Sequence, residues 1–169
     1  MTRRDLFYKW LFYSLTALLW LVIQHALLNT LDFWSGVHPF VLPMLPAMTA
    51  ILEKRQESTL FSVCAGLFCD LLMPGPIPCF YTLAFLAITL LCAVIAARVI
   101  VTGFLCAGVC SVLALALSSA LQILFLAPSL DFSAATGLSL AGRELLLSLP
   151  FSPLLFLSFR FVWRLIRNE

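Results

Sequence analysis

Along most of this chain apolar residues follow one another without the alternation of a half-buried strand, and the breaks are supplied by prolines and charges. Those breaks mark six apolar stretches of helical length, roughly residues 9–29, 38–53, 58–73, 79–97, 102–127 and 143–162. A helix that crosses the hydrocarbon core of a bilayer needs about 20 mostly apolar residues, which most of these supply. The second stretch holds Pro39, Pro43 and Pro46. Pro39 suits a first helical turn, whereas Pro43 and Pro46 are expected to kink or break the helix. The fifth is long enough to tilt or to begin late.

Composition turns these stretches into membrane spans. Of 169 residues, 63% are hydrophobic and only 11% charged, with a mean hydropathy of +1.08. A soluble domain of this size cannot hide so much apolar surface, so the solvent is largely lipid. No linker or low-complexity tract marks a second unit, so residues 1–169 read as a single polytopic domain. TRRDLFYK loosely resembles a twin-arginine export signal. The run that follows, Trp10 to Leu31, carries no Asp, Glu, Lys or Arg, outlasts a signal core and leads to no A-x-A site. It reads as a retained first span.

Charge then sets the topology. With the N-terminus in the cytoplasm and six spans, nine of the ten Lys and Arg residues fall inside: Arg3, Arg4, Lys9, Lys54, Arg55, Arg98, Arg160, Arg164 and Arg167. If the proline-rich second stretch did not cross, the EKRQE turn (residues 53–57) would face outward. The expected fold is therefore an all-α integral membrane protein with six transmembrane helices and both termini cytoplasmic. Basic residues grouped this way are a topological signal and not a nucleic-acid face.

Little in the sequence points to catalysis. There is no G-x-S-x-G serine, no phosphate-binding glycine loop and no CxxC pair. His25 and His38 lack ligand-type neighbours at spacings of three or four, so no metal or cofactor is expected. His25 beside Gln24 reads as a polar pair at the outer end of span one. The six cysteines read as small apolar packing residues, although Cys69 and Cys79 lie near the outer surface, where a disulfide is chemically possible. Trp10, Trp20, Trp34 and Trp163 fall mostly near the interfaces, as aromatic belts do. Ala93 with Ala97, and Gly103 with Ala107 and Ser111, form small-residue rows suited to helix contacts.

The exception is Asp70, in the stretch AGLFCDLLMPGPIP (65–78). A charge in a membrane helix costs about 2.5–3.5 kcal/mol at the bilayer centre on insertion scales, so Asp70 needs a partner or water. Aspartyl proteolysis would need a second converging acid, and Glu144 is the sole intramembrane candidate. Ser62, Gly66 and Asp70 recur every four residues and share one helix face, which suits close packing with the carboxylate against a neighbour. Arg143, the one basic residue on the outer side, matches Asp70 in depth and is a candidate partner. The alternative is that Asp70 caps the outer end where water reaches it. Arg160, Arg164 and Arg167 form a stripe on the last helix that suits contact with anionic lipid headgroups.

The order of these features resembles the rod shape-determining protein MreD family. The similar stretches are LLWLVIQHALL (18–28) with Gln24, Pro39 opening span two, GLFCDLLMPGPIPCFYTLAFLAITLL (66–91), and Pro150 followed by an apolar run into Arg160. Where the family has a Leu-Gly pair after the turn, this chain has Ile77-Pro78. The resemblance implies a non-enzymatic scaffold of the bacterial cell-elongation complex in the inner (cytoplasmic) membrane. Its partners would be MreC, RodA with its penicillin-binding transpeptidase, and indirectly the MreB filament, in support of lateral-wall peptidoglycan synthesis and rod shape. The family is also similar to the six-helix substrate-binding subunits of energy-coupling-factor vitamin transporters. That alternative function needs a ligand pocket under the outer loops, with Asp32, Trp34, His38 and Asp131 as its available polarity.

Overall fold

The computed structural model describes residues 3–30, 37–73, 75, 77–98, 103–126 and 134–167. Asp32, Trp34 and Asp131 lie outside them. Among the described residues the fold is all-helical. The helices are α1 (Arg3–Ala26), α2 (Met44–Leu52), α3 (Arg55–Leu72), α4 (Phe80–Arg98), α5 (Phe104–Leu126), α6 (Ala134–Ser148) and α7 (Ser152–Arg167). Four stretches are long and apolar enough to cross a membrane: Phe7–Thr30, Phe80–Ala97, Phe104–Phe125 and Thr136–Leu165. Helix α3 is not apolar throughout, since Arg55 and Glu57 begin it and Asp70 lies in its last turn.

Two of the expected spans differ from the structure. Residues 38–53 do not form one long helix. The chain runs irregularly through 37–43 and then forms the nine-residue α2, about 14 Å long. Pro46 neither kinks nor breaks it. Pro43 stands at the N-cap and Pro46 in the first turn, where an N–H has no intrahelical acceptor to lose. The last span begins earlier than residue 143. Helix α6 starts at Ala134, a 3-10 turn at Leu149–Phe151 follows where Pro150 removes a ladder donor, and α7 continues the chain. Arg143 therefore lies within a helix and not at its outer end.

Helix α2 is the centre of the bundle. Every residue from Met44 to Ile51 is buried, and α3, α4, α5 and α7 all pack on it. Around it the outward faces are apolar: Phe7, Leu15, Leu71, Leu105, Leu138 and Phe161 are each at least 60% exposed. Such a surface is inverted relative to a water-soluble protein and matches lipid. The interior, by contrast, is laced with hydroxyls. Ser62, Thr89 and Ser111 return a hydrogen bond to the carbonyl four residues back, and Ser58 and Ser118 to the one three back. These self-satisfied hydroxyls let helices approach closely, which matters because lipid supplies no hydrophobic drive to bring them together.

The aromatic and cysteine residues also divide. Trp20 is not at an end of the bundle but in its core, donating from Nε1 to Ser158 Oγ at 3.1 Å. Cys69, Cys92, Cys106 and Cys110 are buried, Cys64 and Cys79 exposed, and all six thiols are free.

Candidate functional site

Helices α3 and α4 meet along the face that carries Ser62, Gly66 and Asp70. Ser62 Oγ also meets Thr89 Oγ1 across the interface, and whichever hydroxyl donates there exchanges its bond within its own helix for one between the helices. One turn on, a methyl group added to Gly66 would lie 2.5 Å from Thr82 Cα and 3.0 Å from the Tyr81 carbonyl oxygen. At that position α3 touches backbone directly, and only glycine leaves the room.

Asp70 completes this face. Its Oδ1 accepts the Tyr81 N–H at 2.8 Å, and its Oδ2 accepts the Thr82 N–H at 3.0 Å and the Thr82 hydroxyl at 2.6 Å. The reason lies in the α4 N-terminus, whose first N–H groups have no intrahelical acceptor. Cys79, the residue before the helix, has φ +60°, a left-handed conformation unlike the extended one in which a residue caps its own helix. The Phe80 N–H reaches Ile77 O and the Leu83 N–H reaches Cys79 O. The two between them go to Asp70. A carboxylate from α3 thus serves as the N-cap of α4, with the positive end of the helix dipole favouring its charge.

This replaces the expected partner. Among the described residues no ion pair joins Asp70 to Arg143; the Asp70 oxygens are taken up by α4, and Arg143 stands on an exposed part of α6. Nor does Asp70 simply end α3 in water, since the helix it caps is the neighbouring one.

Gln24 and Pro39, far apart in sequence terms, are joined. Gln24 is 1% exposed. Its amide nitrogen donates to Pro39 O at 2.8 Å and Asn29 Oδ1 at 2.9 Å, and its oxygen accepts the Val41 N–H at 2.9 Å. Ser148 Oγ accepts the Phe40 N–H at 2.8 Å. Three polar backbone groups of the non-helical 37–43 segment, Pro39 O and the Phe40 and Val41 N–H groups, are therefore provided with side-chain partners, as buried backbone requires. His25 is exposed and takes no part, so it is not the partner of Gln24.

At the other end of the bundle, about 22 Å along α1 from Gln24, a charged cluster closes the structure. Lys9, 4% exposed, pairs with Glu53 Oε2 at 2.6 Å and with Glu57, and the Tyr13 hydroxyl donates to Glu53 Oε1 at 2.9 Å. The Lys9 ammonium holds the Glu57 carboxyl below its ordinary value. The sequence reading used Lys9 as a topological marker and missed this role. The available signal was the spacing of Lys9, Tyr13, Trp20 and Gln24, which places all four on one face of α1. On α7, the Arg160 guanidinium lies 5.7 Å from the Phe156 ring centroid and Arg164 is exposed; the Arg167 side chain lies outside the described residues.

The Gln24 end also opens into a cleft of about 330 Å³, whose walls include Asn29, His38, Phe40, Tyr81, Gln122 and Glu144. Of the polar residues expected under the outer loops, His38 is at this cleft. Among the described residues no group of three His, Cys, Asp or Glu side chains could hold a metal ion. Comparison with protein-family models, with curated proteins and with solved structures gave no match to this chain.

Proposed function

We propose that this protein is a non-enzymatic membrane scaffold of the MreD type, acting in the bacterial inner membrane as a partner of MreC. Through MreC it would join RodA, the penicillin-binding transpeptidase and, indirectly, the MreB filament. The observation that carries the reading is the use made of Asp70. The one acidic residue in the stretch that resembles the family is spent on fixing α4 against α3 and is not offered to a substrate. Rigid helix pairs with lipid-facing apolar sides suit lateral assembly with other membrane segments.

The same reading takes six traverses with both termini cytoplasmic. Residues 37–43 extend at most roughly 23 Å and α2 adds about 14 Å, enough together for a hydrocarbon core of about 30 Å. The contacts of Pro39 with Gln24 and of Glu53 with Lys9 support such a path, since they return the chain along about 22 Å of α1. Arg160 and Arg164 would then lie at the cytoplasmic headgroups.

The test is co-purification. Tagged protein extracted in mild detergent from its native cells should retain MreC, and depletion should convert rods to spheres. Normal rods after depletion, with no MreC retained, would refute the scaffold. A second reading, a substrate-binding subunit of an energy-coupling-factor transporter, is favoured by one observation, the polar cleft at the Gln24 end. It requires a retained small molecule and a coupling ATPase.

A further inference from the structure

Glu144 has no role in the contacts described so far. It lies within Thr136–Leu165, one of the four stretches apolar enough to cross a membrane. An ionisable side chain there demands compensation. Glu144, Gln122 and Tyr81, a carboxylate, an amide and a phenol, all line the cleft. Among the described residues none of these three groups is paired within the protein, and none is sealed, since every fully buried side-chain nitrogen and oxygen has a partner. Three helices, α4, α5 and α6, thus each bring a polar residue to one space.

Among the described lining residues of that space are one carboxylate, Glu144, and one imidazole, His38, but no lysine or arginine. The Phe40 and Tyr81 rings stand beside it with centroids 6.3 Å apart and planes at 52°. A cleft lined by a carboxylate and by aromatic rings suits an organic cation, through charge pairing and ring quadrupoles. The volume, at the lower end of small-molecule sites (about 300–1,000 Å³), admits a headgroup-sized ligand but not a large cofactor.

We infer that this cleft binds an organic ammonium group, with Glu144 as its counter-ion and Tyr81 and Gln122 as hydrogen-bonding partners. The inference does not depend on the scaffold reading. Such an ammonium comes either from a soluble amine or from an ethanolamine lipid headgroup, and the two sources are separable.

The experiment uses the full-length protein in nanodiscs of phosphatidylglycerol alone, titrated with ethanolamine or choline, and in parallel nanodiscs containing phosphatidylethanolamine. Thermal unfolding is read in each. A soluble ligand raises the midpoint in the first set; a headgroup ligand raises it only in the second, and native mass spectrometry then finds that lipid retained. In Glu144→Gln the shift is lost, and in Tyr81→Phe binding weakens by roughly tenfold, the size of one good hydrogen bond. Glu144→Asp restores part of it. The neutral isostere 3,3-dimethylbutanol gives no shift. The inference is overturned if neither amine source shifts the midpoint, if the isostere works as well as choline, or if Glu144→Gln responds like the parent.

Discussion

Replacing Asp70 by alanine removes three hydrogen bonds at once and leaves the Tyr81 and Thr82 N–H groups of α4 without acceptors. Loss of a helix N-cap costs about 0.5–2 kcal/mol. Bonds to a charged acceptor are each worth about 1.5–3 kcal/mol. The terms overlap, and water at the helix end recovers part of the loss, so about 2–4 kcal/mol is expected in total. By the scaling for chains of this size, that corresponds to a fall in melting temperature of about 5–12 °C. Asp70→Asn should recover part of the loss, since its amide oxygen still accepts one N–H while its NH₂ opposes the other. The assay is thermal unfolding of purified protein in detergent, run as a double-mutant cycle with Thr82→Val. Removing the 2.6 Å hydroxyl bond from both sides should give a coupling of about 1 kcal/mol, and a parallel cycle with Arg143→Ala should be additive. Two results would refute the reasoning: an Asp70→Ala protein as stable as the parent, or an Asp70→Arg defect rescued by Arg143→Glu, which would restore the ion pair as the true partner.

Gly66→Ala should destabilise by about 1–3 kcal/mol, because its methyl group meets α4 backbone at 2.5 Å, while Gly142→Ala, with open space around it, should be neutral or slightly stabilising by melting. Gln24→Leu should release the 37–43 segment, read as faster hydrogen exchange at the Val41 amide relative to the α2 amides. Cys79→Gly should raise stability by about 1 kcal/mol, since glycine adopts the +60° φ without strain. Because Lys9 lowers the Glu57 carboxyl from its ordinary 4.5, the stabilisation from this pair is complete above that value and disappears as pH falls through the depressed one. Stability measured on acidification below about pH 4.5 should therefore drop less steeply in Glu57→Gln than in the parent.

The sequence revealed most where physics is local. Charge and hydropathy located α1, α3, α4 and α5 to within a few residues, except for α1's N-terminal extension. The four-residue spacing of Ser62, Gly66 and Asp70 placed them on one face. What periodicity cannot show is which backbone groups a side chain will serve. Asp70 caps a helix that begins ten residues later, Gln24 holds a segment 15 residues away, and Ser148 holds the same segment from 108 residues away. The break expected at Pro43 is where α2 begins, whereas Pro46 leaves the helix intact because it falls in the first turn, whose start the sequence did not disclose. Pro150 was legible as part of the last span, but not as the joint between two helices.

The Ser148 bond has a consequence for how the protein is made. Phe40 leaves the ribosome long before Ser148 exists, and α2 is too short to insert unaided as a helical hairpin would. Until α6 is in place, the Phe40 N–H has no partner from the chain itself. That backbone group of the second stretch is therefore satisfied only late, although it is synthesised early. Chains truncated before α6 should therefore leave residues 37–43 more accessible to protease than they are in the full chain.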